Sequence, residues 1–112
     1  MFIFTFKLSS YCQETPNVGA LFLDWHYMAK RPLSGNFKVM SNLKLLIVNG
    51  GFRFNASLDL PDSLRYLEWG GYPLESLPST FSAENLVELR MVNGKVKKLW
   101  KEEQVYYIIC LF

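Results

Sequence analysis

Residues 64–77 read LRYLEWGGYPLESL, and residues 86–99 read LVELRMVNGKVKKL. In both segments an apolar side chain stands at positions 1, 4, 6, 11 and 14, when Leu64 and Leu86 are each taken as position 1. Apolar residues at positions 4 and 6 suit a short strand, in which every second side chain points to the same face. The sequence therefore predicts two successive units, each with a strand followed by a return segment that carries its own apolar residues.

The same 1-4-6 spacing extends towards the N-terminus, where it begins at Leu43 and, before that, at Val18. A period of roughly 20 to 29 residues built on L-x-x-L-x-L is typical of leucine-rich repeats, and the intervals between Val18, Leu43, Leu64 and Leu86 all fall in that range. Units of this kind are stable only when they stack on one another. The predicted fold is a short α/β leucine-rich-repeat solenoid, with a parallel concave sheet of three to four strands and an irregular or short-helical convex side.

The repeat is predicted over residues 18–104, between segments 1–17 and 105–112 that fit no register. Both flanking segments are apolar, and translated intron sequence at one or both ends is a hypothesis that would explain the loss of period. Residues 34–40 are predicted to form one helical turn. One local alternative stays open, because Asn49-Gly50 before the alternating residues 52–54 is also a signal for a β-hairpin.

Composition limits the class of protein. A chain of 112 residues is one domain or a piece of one, and a net charge of +2 is too small to imply nucleic acid or an anionic membrane as partner. Two distant cysteines, Cys12 and Cys110, make no disulfide framework, which favours a reducing compartment. No apolar run reaches the roughly 18 residues that span a bilayer. We expect a cytoplasmic or nuclear location and neither a membrane nor a nucleic-acid partner.

Residues that could carry catalysis lack the partners they would need. His26 has no cysteine at metal-ligand or triad spacing, and the glycine pairs are better explained as turns than as phosphate loops. Asp59 and Asp62 stand beside Pro61, where a turn is the simpler interpretation. The lysines among residues 95–101 alternate with apolar residues and are interpreted as solvated positions. We therefore predict no enzyme activity, no cofactor and no metal.

The candidate functional residues lie at positions 3 and 5 of each unit, on the strand face opposite the predicted core. Across four stacked units these positions form two rows that are apolar in the first two units and polar in the last two. An apolar face of this kind implies either that another domain covers it or that the registers of the first two units are wrong. If neighbouring strands are in register, Glu68 and Arg90 stand side by side as a cross-strand ion pair. The candidate protein-contact residues are Phe22, Leu45, Ile47, Tyr66, Glu68, Glu88 and Arg90.

Several motifs together resemble one protein family. LPDSLRYLEW at residues 60–69 continues as GGYPLESLP at 70–78, and ENLVEL at 84–89 and Leu99-Trp100 follow. This order is similar to the start of the repeat region in plant TIR-NBS-LRR disease-resistance proteins, and the resemblance covers residues 18–100. The asparagine that many repeat families place at position 9 is replaced here by Gly51, Tyr72 and Gly94, which predicts an irregular inner turn.

The resemblance implies a protein-binding role in pathogen sensing within a larger receptor. Its partner would be the receptor's own nucleotide-binding module or a pathogen effector. The alternative is a fragment or pseudogene product with no independent function, and an enzyme is disfavoured.

Overall fold

The computed structural model of the chain describes residues 3–5, 18–24, 35–50, 58–100 and 109–111. The strands in these ranges form one parallel sheet, in which each strand neighbours the next along the chain. They are β1 (Ile3–Thr5), β2 (Ala20–Asp24), β3 (Leu45–Asn49), β4 (Tyr66–Gly70), β5 (Glu88–Val92) and β6 (Ile109–Leu111).

Strands β2 to β5 pair in the register that the repeat predicts. Leu21 is aligned with Leu46, Leu46 with Leu67, and Leu67 with Leu89, so the intervals read from the sequence are confirmed. Strand β3 has β2 on one edge and β4 on the other. Both of its edges are therefore occupied, and the alternative of a local hairpin built on β3 is wrong. Residues 52–54, the other half of that alternative, lie outside the described residues.

The sheet contains more strands than the three to four expected. Ile3 is aligned with Ala20, and fewer residues separate these two along the chain than separate register partners within the repeat. Ile109 is aligned with Glu88, and their separation along the chain is like those within the repeat. The short strands β1 and β6 lie in segments 1–17 and 105–112, which show no repeat signature. Strand pairing requires only backbone donors and acceptors in line, so it can extend into segments whose side chains do not repeat.

The core covers one face of β2 to β5. The leucine at position 4 of each of these units has no exposed surface, and the residues at positions 1 and 6 are buried as well. Fully burying one leucine contributes roughly 1.5–3 kcal/mol. A register slip of one position would turn this whole set to the other face, which is why the apolar pattern fixes the pairing. The buried residues at positions 1, 4 and 6 are Val18, Leu21, Leu23, Leu43, Leu46, Val48, Leu64, Leu67, Trp69, Leu86, Leu89 and Met91.

The core lies between the sheet and a second layer, formed by the segments between the strands, which consists mainly of turns. Its helical element among the described residues is a 3₁₀ helix at Phe37–Val39, inside the predicted turn at 34–40. Phe37 and Phe81 are buried in this layer. Leu77 is also buried, but Leu74 is 41% exposed although its position in the repeat is apolar. None of the helical structure described here has the length or apolar character needed to cross a membrane.

The turns after strands β3 to β5 share a positive φ at the same repeat position. The residue at position 8 has a positive φ in all three, with values of 125° at Gly50, 76° at Gly71 and 57° at Asn93. Glycine and asparagine adopt this region with the least strain. Gly50 N–H donates to the Gly70 carbonyl at 3.4 Å, and Gly71 N–H donates to the Val92 carbonyl at 2.8 Å. Hydrogen bonds therefore join successive turns just as they join the strands.

Tyr72 occupies position 9 of its unit, where many repeat families place asparagine, and it lies in the core. Its side chain has no exposed surface, and its hydroxyl donates to the Ser76 carbonyl at 2.9 Å. Its ring lies edge-on to the ring of Trp69, with 5.2 Å between the ring centroids. The backbone carbonyl of Tyr72 accepts a hydrogen bond from Lys95 N–H at 3.1 Å. The tyrosine thus supplies both an internal hydrogen bond and core packing at this unit, and the irregular inner turn stays a prediction.

Candidate protein-contact surface

The seven candidate residues lie on the face of the sheet opposite the core, as the sequence predicts. Position 5 gives the row Phe22, Ile47, Glu68 and Arg90, in which each residue is the register partner of the next. With about 4.8 Å between neighbouring strands, this row extends over about 14 Å. Position 3 gives a second row on the same face, made of Ala20, Leu45, Tyr66 and Glu88.

The two halves of this face differ in chemistry. Over β2 and β3 the two rows are apolar and partly or fully buried, with Phe22, Leu45 and Ile47 half-buried and Ala20 buried. Over β4 and β5 the rows are polar, and Arg90 is exposed. The face thus offers an apolar half next to a charged half, in the order expected from the sequence.

Hydrogen bonds and ion pairs in the charged half run along each strand. Tyr66 Oη donates to Glu68 Oε1 at 2.5 Å, and Arg90 Nε lies 3.2 Å from Glu88 Oε2. Glu68 and Arg90 are register partners, as predicted, but the predicted ion pair between them is wrong. Alternate residues of a strand share a face, so long side chains can reach each other there as easily as across strands. An exposed pair contributes only about 0–1 kcal/mol, and such small differences decide the choice of partner.

Tyr66 remains a hydrogen-bond donor at all physiological pH values. Burial, followed by the hydrogen bond to Glu68, raises the pKa of its phenol to about 12. The Glu88 charge acts in the same direction and the Arg90 charge opposes it. Within the described part of the chain, the second carboxylate oxygen of Glu68 accepts no further hydrogen bond.

A third row on the same face was not singled out from the sequence. Position 7 contributes Asp24, Asn49, Gly70 and Val92, aligned in that order. Gly70 has no side chain, and a Cβ atom placed on it would lie 3.3 Å from Asn49 Oδ1. Val92 is 54% exposed. The alternation that identified positions 3 and 5 also applies to position 7, so the signal was present in the sequence.

The aspartates considered as an acid and base pair instead join neighbouring units. Asp59 Oδ1 accepts a hydrogen bond from Thr80 Oγ1 at 2.5 Å, and Asp62 Oδ1 accepts one from the backbone N–H of Ser82 at 2.9 Å. His26 lies outside the described residues. Among the residues that the structure describes, no three histidine, cysteine or acidic side chains are grouped as metal ligands would be.

Three of the lysines among residues 95–101 are solvated, as interpreted from the sequence, and Lys101 lies outside the described residues. Lys95, Lys97 and Lys98 are exposed, and Lys97 Nζ lies 3.4 Å from Glu75 Oε1. Val96 and Leu99 between them are partly buried and pack against the core. The alternation of lysines and apolar residues therefore reflects the edge of the core.

Known proteins with similar sequences include several disease-resistance proteins of a plant. The chain is 39% identical over 105 residues to disease resistance protein LAZ5 of Arabidopsis thaliana, a match that covers 79% of the chain and 9% of that relative. From the same plant, disease resistance protein RPP5 is 43% identical over 67% of the chain and 6% of its own length, and RRS1 is 35% identical over 86% of the chain and 8% of its own length. No family model and no solved structure matches the chain.

The chain is thus homologous to a segment of plant disease-resistance proteins, and the resemblance drawn from its motifs is confirmed. It spans less than a tenth of the length of these relatives.

Proposed function

We propose that this chain is a leucine-rich-repeat segment of a plant immune receptor of the TIR-NBS-LRR type, and that it binds protein through the open face of its sheet. In this proposal it acts in the cytoplasm or nucleus by binding and not by catalysis. The partner is the receptor's own nucleotide-binding module or a pathogen effector. The observation that carries the proposal is the register of β2 to β5 at the repeat interval, on strands whose opposite face holds the core.

Contacts that recur between units support the stacked-repeat interpretation. Ser63 and Asn85 each stand directly before the first leucine of their unit. Ser63 Oγ donates to the Leu43 carbonyl at 2.6 Å, and Asn85 Nδ2 donates to the Asp62 carbonyl at 2.9 Å. Equivalent positions thus bond to the preceding unit, which is how a repeat array holds its neighbours.

The chemistry of the sheet face supports a protein partner. Half-buried aromatic and aliphatic side chains lie beside charged ones, and protein interfaces combine an apolar centre with a polar rim in this way. The alternative function, a fragment with no independent activity, makes a different prediction, because such a fragment has no binding that depends on one face.

The test is affinity capture from leaf extract with the full chain and two matched variants. Ile47→Glu places a charge in the apolar half of the sheet face. Val39→Glu places the same charge on the 3₁₀ helix, where Val39 is 42% exposed. Circular dichroism first establishes that both variants fold.

We expect a set of proteins that the wild type and Val39→Glu capture and that Ile47→Glu loses. Identical capture by the two variants would exclude the sheet face as the binding surface. Capture no greater than that of an unrelated protein would favour the fragment alternative.

A further inference from the structure

The sequence contains two Asn-Gly pairs, and the structure places them at the ends of two different strands. Asn49-Gly50 ends β3, and Asn93-Gly94 follows β5. In such a pair the backbone nitrogen of the glycine can attack the side-chain amide of the asparagine, because glycine has no Cβ to hinder the approach. The attack converts asparagine to aspartate or isoaspartate, and it requires both groups to be free to move. The local structure therefore decides which pair reacts.

The Asn49-Gly50 pair is held by its neighbours. Asn49 is the last residue of β3 and is aligned with Asp24 on one side and Gly70 on the other. The Gly50 N–H, whose proton must leave in the reaction, donates to the Gly70 carbonyl at 3.4 Å. Asn49 Oδ1 also lies close to Gly70, 3.3 Å from the place of a Cβ atom on that residue. Attack at this pair thus requires the end of β3 to open first.

The Asn93-Gly94 pair lies beyond the end of β5, and both of its residues are exposed. Among the residues that the structure describes, neither the side-chain amide of Asn93 nor the N–H of Gly94 has a hydrogen-bond partner. Within this part of the chain, therefore, no hydrogen bond of these two groups has to break before the nitrogen attacks.

We propose that Asn93 is a site of spontaneous deamidation, at which Gly94 supplies the nucleophile and water is the co-reactant. The Gly94 nitrogen forms a bond to the side-chain carbonyl carbon of Asn93. The C–N bond of the side-chain amide breaks, and ammonia leaves with the proton of the Gly94 N–H. Water then adds to either carbonyl of the resulting cyclic imide and breaks the bond from that carbonyl to the ring nitrogen. One opening gives aspartate, and the other gives isoaspartate, in which the former side chain continues the backbone.

Isoaspartate at this position disturbs the contact between the units that begin at Leu64 and Leu86. The Gly94 backbone lies against Tyr72, since a Cβ atom placed on Gly94 would be 3.4 Å from Tyr72 Cβ and 3.5 Å from the backbone nitrogen and oxygen of Tyr72. Lys95 N–H donates to the Tyr72 carbonyl at 3.1 Å. Because isoaspartate adds a methylene group to the backbone directly before these contacts, we expect the modified chain to be less stable. This inference is independent of the proposed function.

The experiment follows deamidation of the full chain in a mildly alkaline buffer, with and without urea. Both pairs stand in the triplet Val-Asn-Gly, so Asn49 is a matched control within the same chain. Trypsin separates the two pairs into peptides 45–53 and 91–95, and mass spectrometry measures the replacement of an NH₂ group by an OH group in each.

Asn93→Gly is the matched variant for the effect on stability. It removes the reactive amide but keeps a residue that tolerates a positive φ, as glycine does at the equivalent positions 50 and 71. Circular dichroism establishes that the variant and the wild type are folded before the incubation begins.

In the folded chain Asn93 should react roughly fivefold faster than Asn49 or more, because only Asn49 requires a hydrogen bond to break first. In urea the two rates should become similar. The urea midpoint of the incubated wild type should fall in step with modification at Asn93, whereas that of incubated Asn93→Gly should not.

Equal rates at the two asparagines of the folded chain would overturn this inference, and so would faster reaction at Asn49. Absence of reaction at Asn93 in the folded chain, while the sample in urea reacts, would overturn it as well. A midpoint that stays constant as Asn93 is modified would contradict the contact of Gly94 with Tyr72.

Discussion

Tyr72 provides the sharpest test of how the units of this protein fit together. Its ring is fully buried against Trp69, and its hydroxyl bonds the Ser76 carbonyl. Truncation of a buried aromatic residue to alanine costs about 3–5 kcal/mol. Tyr72→Phe keeps the ring and removes one hydrogen bond, which is worth about 0.5–1.5 kcal/mol. Since Ser76 is half-buried, water can partly replace the lost donor, and we expect the lower end of that range.

The assay is urea unfolding of the full chain, followed by circular dichroism and by tryptophan fluorescence. Trp69 lies 5.2 Å from Tyr72, measured between ring centroids, and reports on this part of the core. Tyr66→Phe is the matched control, because it removes a phenol hydroxyl from the open face of the sheet. Small proteins are stable by about 5–15 kcal/mol, so the Tyr72→Ala variant should lose a large share of its free energy of unfolding.

Alkaline pH gives an independent reading of the same residue. Burial raises the pKa of the Tyr72 phenol above the 10.0 of a free tyrosine. Above this pH the unfolded chain therefore loses the proton before the folded chain does, and the free energy of unfolding falls as pH rises. Tyr72→Phe should lack this contribution.

A cost below about 1 kcal/mol for Tyr72→Ala would refute the buried position of the ring, as that is below the range for buried aromatics.

Three further predictions concern the sheet and its turns. The double variant Glu68→Cys and Arg90→Cys should form a disulfide readily, because the two residues are register partners. Both native cysteines are first replaced by serine, and mass spectrometry measures the oxidation. A folded variant that cannot be oxidised would argue against the pairing of β4 with β5. Stability of the wild type should decline between about pH 10 and 12 partly through Tyr66, whose folded pKa is about 12, and urea unfolding of Tyr66→Phe should show a shallower decline. Gly71→Ala should destabilise the fold by about 1 kcal/mol or more because φ is 76°. Gly71→Asn should cost less, since asparagine tolerates a positive φ and Asn93 has one at the equivalent position of the next unit. Equal thermal melting of these two variants would contradict the turn assignment.

Individual elements show where prediction from the sequence succeeds. Leu46, Leu67 and Leu89 are aligned as their spacing requires, and each is fully buried. The prediction succeeds because burial of a whole apolar face depends on register, and register can be read from the interval between leucines. The rows on the open face follow from the same alternation.

Other features depend on contacts that spacing does not encode. Arg90 pairs with Glu88 and not with Glu68, because several carboxylates lie within reach and small energies separate them. Leu74 is exposed while Tyr72 is buried, since only the path of the turn decides which side chain enters the core.

By itself, the sequence determined the parallel order of the central strands, their register and the residues that each face presents. It did so because side-chain alternation and a fixed interval are local properties of the chain. Only the tertiary structure decided that two short outer strands extend the sheet, that the Tyr72 side chain enters the core, and that the Asn49 side chain lies close to Gly70 of the next strand. These features depend on where backbones and side chains from different units meet in space, and the residues concerned are many positions apart in the chain.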